Sequence, residues 1–207
     1  MTKASTTSAA PRRALIVVDV QNIYADGPLL IKYPPVQESL VRIGQAMDAA
    51  RAAGIPIVVV QEDGFGKGTH GWKIHDVVAS RTADHHIHKT RPSAFANTGL
   101  AAWLAERDIN TLSVVGYMTH NCNASTLFEA RHMGLSAEFL SDATGAVPYA
   151  NAAGRATAEE IHRVFSVVFE SNYAAVVSTE KWIAAVRAGQ ALARDSVMAS
   201  NARAKEV

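Results

Sequence analysis

The sequence predicts a three-layer α/β/α fold, one doubly wound domain built on a six-stranded parallel sheet. Three observations predict it. Short β-branched runs alternate with longer stretches of helical spacing along the whole chain. The short runs are continuously apolar rather than alternating, as in strands buried on both faces. No internal repeat, low-complexity linker or shift of composition divides the chain.

The elements follow in order. ALIVVD, residues 14–19, is the first strand. A helix follows, with apolar positions at Val36, Leu40, Ile43 and Met47 and a stop at Gly54. PIVVVQ, residues 56–61, is the second strand, and the glycine-rich stretch EDGFGKGTHGWKIHD after it reads as a long loop. HHIHK, residues 85–89, is a short third strand, and Asn97 is placed to cap a helix through LAAWLAERD. TLSVVGYM is the fourth strand and leads into a helix carrying Cys122; LSAEFLSD is the fifth strand. Thr157 and Glu160 form a capping box at the head of the next helix. AAVVS is the sixth strand and TEKWIAAVRAG the last helix. Residues 1–13 read as a disordered leader, 14–189 as the domain, and 190–207 as a tail, either a frayed helix or an arm on a partner subunit.

Composition narrows the function classes. The chain has 207 residues and a net charge of +1, with 20 basic and 19 acidic side chains. No field of one sign, and no basic cluster with interleaved aromatics, points to nucleic acid or an anionic membrane. No apolar run is long enough to span a bilayer, and the first residues lack a signal-peptide core. The lone cysteine excludes an internal disulfide and fits a reducing, cytoplasmic compartment. DVQNIYADG after the first strand is not a glycine-rich phosphate loop, so no dinucleotide cofactor is expected.

In a doubly wound sheet, ligands bind beyond the carboxyl ends of the strands. Asp19 ends the first strand, Lys89 ends the third, and Cys122 follows the fourth. Each has an ordinary alternative: an aspartate capping a turn, a solvated lysine, a buried cysteine acting as a small hydrophobe. The polar neighbours Met118-Thr119-His120-Asn121 and Asn123 argue against a simple core position for the thiol. At a helix N-terminus, with Lys89 nearby, the thiol pKa is expected to fall and to give a nucleophilic thiolate. Asp19 can then accept and return the proton, and backbone N–H groups can hold an oxyanion. Together the three residues point to acyl transfer through a thioester.

DVQ at Asp19, KTRPSAF at Lys89 and GYMTHNC before the Cys122 helix together resemble the isochorismatase-like cysteine hydrolases, a superfamily that includes nicotinamidases and N-carbamoylsarcosine amidase. The resemblance runs over about residues 14–177. It implies a sheet of order 3-2-1-4-5-6 and a triad of Asp19 as general base, Lys89 as charge stabiliser and Cys122 as nucleophile. It also implies a cis peptide between Tyr117 and Met118, an oxyanion hole from the N–H groups of Met118 and Cys122, and a homodimer or homotetramer. EDGFGKGTH lacks the Asp-x-His metal motif of family nicotinamidases, and His120 stands where an acidic residue is common.

Tyr24, Trp72, Phe95, Tyr117 and Asn121 are the candidates for a small-substrate pocket, with core filling as the alternative for the aromatics. His70, His75, His85, His86 and His88 raise a metal reading, but no ligand spacing completes a site, so no metal is expected. His120 is either a proton-transfer group or a turn residue. The function expected is metal-independent hydrolysis of a C–N bond in a small molecule. A vinyl ether hydrolase and a non-catalytic binding protein on the same scaffold are the alternatives.

Overall fold

The computed structural model describes residues 10–206. β1 (Arg13–Val18) is buried at every position. Its side chains divide between two apolar layers in strict alternation: Ala14, Ile16 and Val18 face one, Leu15 and Val17 the other. That two-sided burial explains why the run is continuously apolar. Burying one such Leu or Ile contributes on the order of 2 kcal/mol.

A short helix, α1 (Asn22–Ala25), follows β1 and precedes the long α2 (Val36–Ala52). β2 (Ile57–Glu62) leads through a 3-10 turn (Asp63–Phe65) and the short α3 (Asp76–Ala79) to β3 (His85–Lys89). α4 (Leu100–Ala105) precedes β4 (Thr111–Tyr117), and a π-helical turn (Thr119–Asn123) opens into α5 (Ala124–His132). β5 (Ser136–Gly145) is followed by a hairpin of β6 (Tyr149–Asn151) and β7 (Gly154–Ala156), then α6 (Ala158–Asn172), β8 (Ala175–Val177), α7 (Thr179–Arg187) and α8 (Val197–Ala204).

The main sheet has six strands in the order β3-β2-β1-β4-β5-β8, and all its pairings are parallel. The order matches the expected one, since β6 and β7 form a separate two-stranded sheet. Leu100 and Leu104 of α4, Leu127 of α5 and Phe169 of α6 cover one face. Leu40, Ile43 and Met47 of α2 with Trp182 of α7 cover the other. The capping box at Thr157 and Glu160 forms as expected at the head of α6.

Four details differ from expectation. Arg13 is not part of a leader: it is 5% exposed and opens β1, where its guanidinium meets the buried Glu138. Arg12 is also bonded, its N–H donating to Asn110 Oδ1 at 3.1 Å. Residues 1–9 of the expected leader lie outside the described residues. Asn97 does not cap α4; it sits at φ 58°, and Gly99 is the N-cap. The hairpin β6–β7 has no counterpart in the predicted elements. The tail forms α8, which packs on α6 of its own chain, with Asp195 N–H donating to Glu170.

Candidate active site

Asp19, just past the end of β1, takes a left-handed backbone conformation at φ 49°. Aspartate is among the few residues enriched there, and such outliers cluster at functional sites. The N–H of Asp19 donates to Val60 O at 2.9 Å, and its carbonyl accepts from Gln21 N at 2.8 Å. These bonds turn the carboxylate inward, where it is 0% exposed.

Lys89, the last residue of β3, lies in register with Glu62, the last of β2. Its side chain is fully buried, and its Nζ stands 2.8 Å from Asp19 Oδ2 and 3.0 Å from Glu62 Oε2. The same ammonium donates to Cys122 Sγ at 3.4 Å. Three side chains from distant parts of the chain therefore meet on one ammonium. The Lys89–Asp19 approach is close but off the axis of a hydrogen bond, and neither carboxylate oxygen of Asp19 accepts an aligned one among the described residues.

Several contacts hold the cysteine turn. Gly116 sits at φ 99°, and a Cβ there would lie 2.1 Å from Val18 O, so only glycine lets β4 pass this close to β1. The Tyr117–Met118 peptide is cis, where the resemblance placed it. Met118 O accepts from the N–H groups of Asn121 and Asn123 at 3.1 and 3.2 Å, while the Met118 N–H donates no hydrogen bond among the described residues. Asn123 Nδ2 donates to Gly116 O at 2.8 Å, and Thr126 Oγ1 donates to Cys122 O at 2.7 Å.

The electrostatics overturn one expectation. Cys122 does not open an exposed helix N-terminus; it lies within the π-helical turn and is 4% exposed. Burial pushes its thiol up, the Asp19 carboxylate pushes it further, and Lys89 only partly opposes them. The thiol thus rests neutral, not as the expected thiolate. Burial also raises Asp19 to about 6, against the pull of Lys89. Burial alone would depress Lys89, but Asp19, Cys122 and Glu62 hold its ammonium above the usual lysine range. The cluster pairs a neutral thiol with a carboxylate whose proton affinity is elevated. Such a pair is able to exchange a proton between sulfur and carboxylate.

The pocket candidates fall in different places. Tyr24 is 1% exposed, its ring 5.6 Å from Phe65 and 5.7 Å from Tyr117. Burial and then the nearby Asp19 and Cys122 push its phenol up, which places it beside the cluster. Tyr117 is fully buried, its hydroxyl 2.6 Å from Ser39 Oγ. Phe95 is 5% exposed in the apolar layer that also includes Cys122. Asn121 is half-buried in the cysteine turn. The Trp72 indole donates to Asp63 Oδ1 at 3.0 Å and stacks on His88.

The five histidines scatter. His70 pairs with Asp26 and His88 with Asp63, each at 2.9 Å. His75 anchors its loop, accepting from Val77 N at 3.2 Å, and His85 stacks on Trp103. His86 is exposed. Among the described residues no group of three or more His, Cys, Asp or Glu side chains could hold a metal. Burial and the neighbouring His162 lower His120 to about 4, so it is neutral near pH 7. Its ring packs edge-on against Tyr149 at 4.8 Å.

Sequence reasoning missed two residues here. Glu62 was available to the strand-end rule, because it ends β2 as Asp19 and Lys89 end their segments. Tyr149 stands on the β6–β7 hairpin, 44% exposed; burial and the nearby Cys122 push its phenol up. Its only sequence signal is the turn Asn-Ala-Ala-Gly that follows, in which Asn151 Oδ1 accepts from Ala153 N at 2.9 Å.

Comparison with known proteins places this geometry. The isochorismatase domain family matches residues 13–181. A candidate isochorismatase from Burkholderia xenovorans LB400, solved by crystallography, is 58% identical, with a TM-score of 0.94 over 95% of this chain and 97% of that one. Streptothricin hydrolase from Streptomyces noursei is 33% identical over 127 residues, 59% of this chain but only 45% of its own length. A ureidoacrylate amidohydrolase from Stutzerimonas stutzeri is 30% identical over 174 residues, 65% of this chain and 70% of that protein. With the fold, the order of the strands and the matched span in agreement, the chain belongs to the isochorismatase family.

Proposed function

We propose that this protein is a metal-independent cysteine hydrolase that cleaves the C–N bond of a small carboxamide, urea or carbamate. The observation that carries the reading is the convergence of Asp19, Cys122 and Glu62 on the Lys89 ammonium. The names of the relatives support the bond type: one is a streptothricin hydrolase and others are ureidoacrylate amidohydrolases.

In this reading Asp19 takes the proton from Cys122 Sγ, and the sulfur attacks the carbonyl carbon. The N–H groups of Met118 and Cys122 hold the oxyanion. Asp19 passes its proton to the leaving nitrogen, the C–N bond breaks, and ammonia or an amine departs. Water then attacks the thioester and gives a proton to Asp19. The C–S bond breaks, the acid is released, and the proton returns to sulfur. Lys89 stays protonated throughout and offsets the negative charge of the cluster. Tyr24 and Tyr149 wall the substrate, with Trp72, Phe95, Tyr117 and Asn121 as outer candidates.

No described helix is long and apolar enough to cross a membrane, and a cytoplasmic location suits the lone thiol. A homodimer or homotetramer fits the exposed apolar side chains Val164, Val167 and Met198.

The test is a panel of small amides, ureas and carbamates assayed for ammonia by the wild type and by Cys122→Ala. Ammonia from the wild type alone supports the reading. Vinyl ether hydrolysis is the second reading, favoured by the 58% identity to a candidate isochorismatase. Pyruvate without ammonia from vinyl ether substrates would select it.

A further inference from the structure

An Asp–Lys–Cys triad needs two partners for its lysine, and Lys89 has three. The third, Glu62, is built into the site and is not a chance surface pair. Its Oε2 is 3.0 Å from Lys89 Nζ, and its side chain is 13% exposed. Its Oε1 accepts from Gly64 N at 2.8 Å, which fixes the rotation of the carboxylate. Its backbone is clamped on both sides by the fully buried Gln21. Gln21 Oε1 accepts from Glu62 N, and Gln21 Nε2 donates to Glu62 O, both at 3.0 Å. Gln21 is itself bonded through its N–H to Asp19 O. One glutamine thus ties the segment carrying the base to the strand carrying the extra carboxylate.

We propose that Glu62 is a positioning residue of this site: it holds the Lys89 ammonium between two carboxylates and so leaves Asp19 basic enough to take the proton of Cys122. The proposal rests on the hydrolase reading above and deepens it. A lysine paired with Asp19 alone would stabilise that carboxylate fully and make it a weak base. Sharing the ammonium divides its pull. The groups facing Asp19 are Lys89 from β3, Glu62 from β2, Cys122 from the turn after β4 and Tyr24 from α1. The thiol and the phenol rest neutral, so the balance between Lys89 and Glu62 sets the basicity of Asp19. Burial is the main reason that Asp19 is raised, and the charge of Glu62 acts in the same direction. The transfer leaves the net charge unchanged: the sulfur loses a proton and becomes negative, Asp19 gains it and becomes neutral, and Glu62 and Lys89 keep their charges.

Cys122 is the only cysteine in the chain, so alkylation by iodoacetamide reads one thiol. The experiment follows its rate from pH 4 to pH 9 in the wild type, Glu62→Gln and Glu62→Asp, with thermal melts to show that each is folded. Removing the charge in Glu62→Gln should move the acidic inflection down by roughly one pH unit and slow alkylation at pH 7.5 about 5- to 10-fold. Glu62→Asp keeps the charge but withdraws it by one methylene, so it should move the inflection the same way by less. It carries the test alone if the glutamine variant does not fold. Profiles that superimpose on the wild type, or an inflection that moves up, would overturn the proposal and leave the triad reading standing. A folded wild type whose Cys122 resists alkylation at every pH would overturn both.

Discussion

Two buried charge clusters lie at opposite ends of β1, and they are built to opposite specifications. At its start, Arg13 meets Glu138 with both side chains under 5% exposed. Glu138 accepts from Arg13 on both oxygens, from Ser113 Oγ at 2.7 Å and from Trp182 Nε1 at 2.8 Å. Just past the other end, Asp19 meets Lys89 with no exposure on either side chain, but no aligned hydrogen bond reaches Asp19. Buried polar groups are normally satisfied, and an exception asks for an explanation. The first cluster uses its acceptor capacity and serves stability. The second leaves capacity unused beside a thiol, which is what a proton acceptor needs. The two ends are alike in charge and burial and differ in how fully their carboxylates are hydrogen-bonded.

The sharpest way to break that contrast is to remove the reactive groups. Cys122→Ala and Asp19→Asn should each lower ammonia release by at least about 10³-fold. Cys122→Ala should melt close to the wild type, whereas Asp19→Asn removes a buried partner of Lys89 and should melt lower, so its turnover is read well below its own Tm. Turnover retained in either variant would dissolve the functional side of the comparison. On the structural side, Glu138→Ala strands a buried guanidinium and should cost about 3–5 kcal/mol in urea unfolding. The double variant Arg13→Met with Glu138→Leu should recover most of that loss, and kcat should not change in either. A kcat that collapses with Glu138 would show that the two ends are not separate.

Two pH effects sharpen the comparison further. Asp19 is raised to about 6, so its carboxyl is protonated below that value and ionised above it, and the proposed mechanism needs the ionised form. Turnover should therefore fall as the pH drops through about 6; an acidic limb near 4 would mean an ordinary exposed carboxylate. The smallest effect concerns His120 and His162, both lowered from 6.5 to about 4, chiefly by burial. The unfolded chain takes up protons near 6.5 and the folded chain only near 4. Stability should thus be lost as the pH falls through that window. Replacing His162 with Gln should flatten the dependence of Tm on pH there.

Much of this was legible in the residues. The continuous apolar runs announced strands buried on both faces. The strand-end rule brought Asp19, Lys89 and Cys122 to one edge, and the structure holds Asp19 and Cys122 on the Lys89 ammonium. What escaped was set by tertiary pairing. The strand-end rule could reach Glu62, but its pairing with Lys89 depends on register, which is not written in a single strand. Arg13 read as a leader because its partner, Glu138, lies in a different strand. The capping reading of Asn97 failed because the chain bends at that residue and starts the helix at Leu100. The expectation of a thiolate failed because burial and a facing carboxylate outweigh Lys89. The β6–β7 hairpin is exposed along nearly its whole length, so it carries no apolar pattern to read.

The proposed mechanism requires that the Cys122 sulfur become covalently bonded to the acyl group during turnover. Intact-mass analysis of enzyme quenched in acid during steady-state hydrolysis, followed by peptide mapping, tests it most directly. An adduct of the acyl mass on the peptide that contains Cys122 is the expected result. An unmodified protein during full turnover, together with an active Cys122→Ala variant, would contradict it.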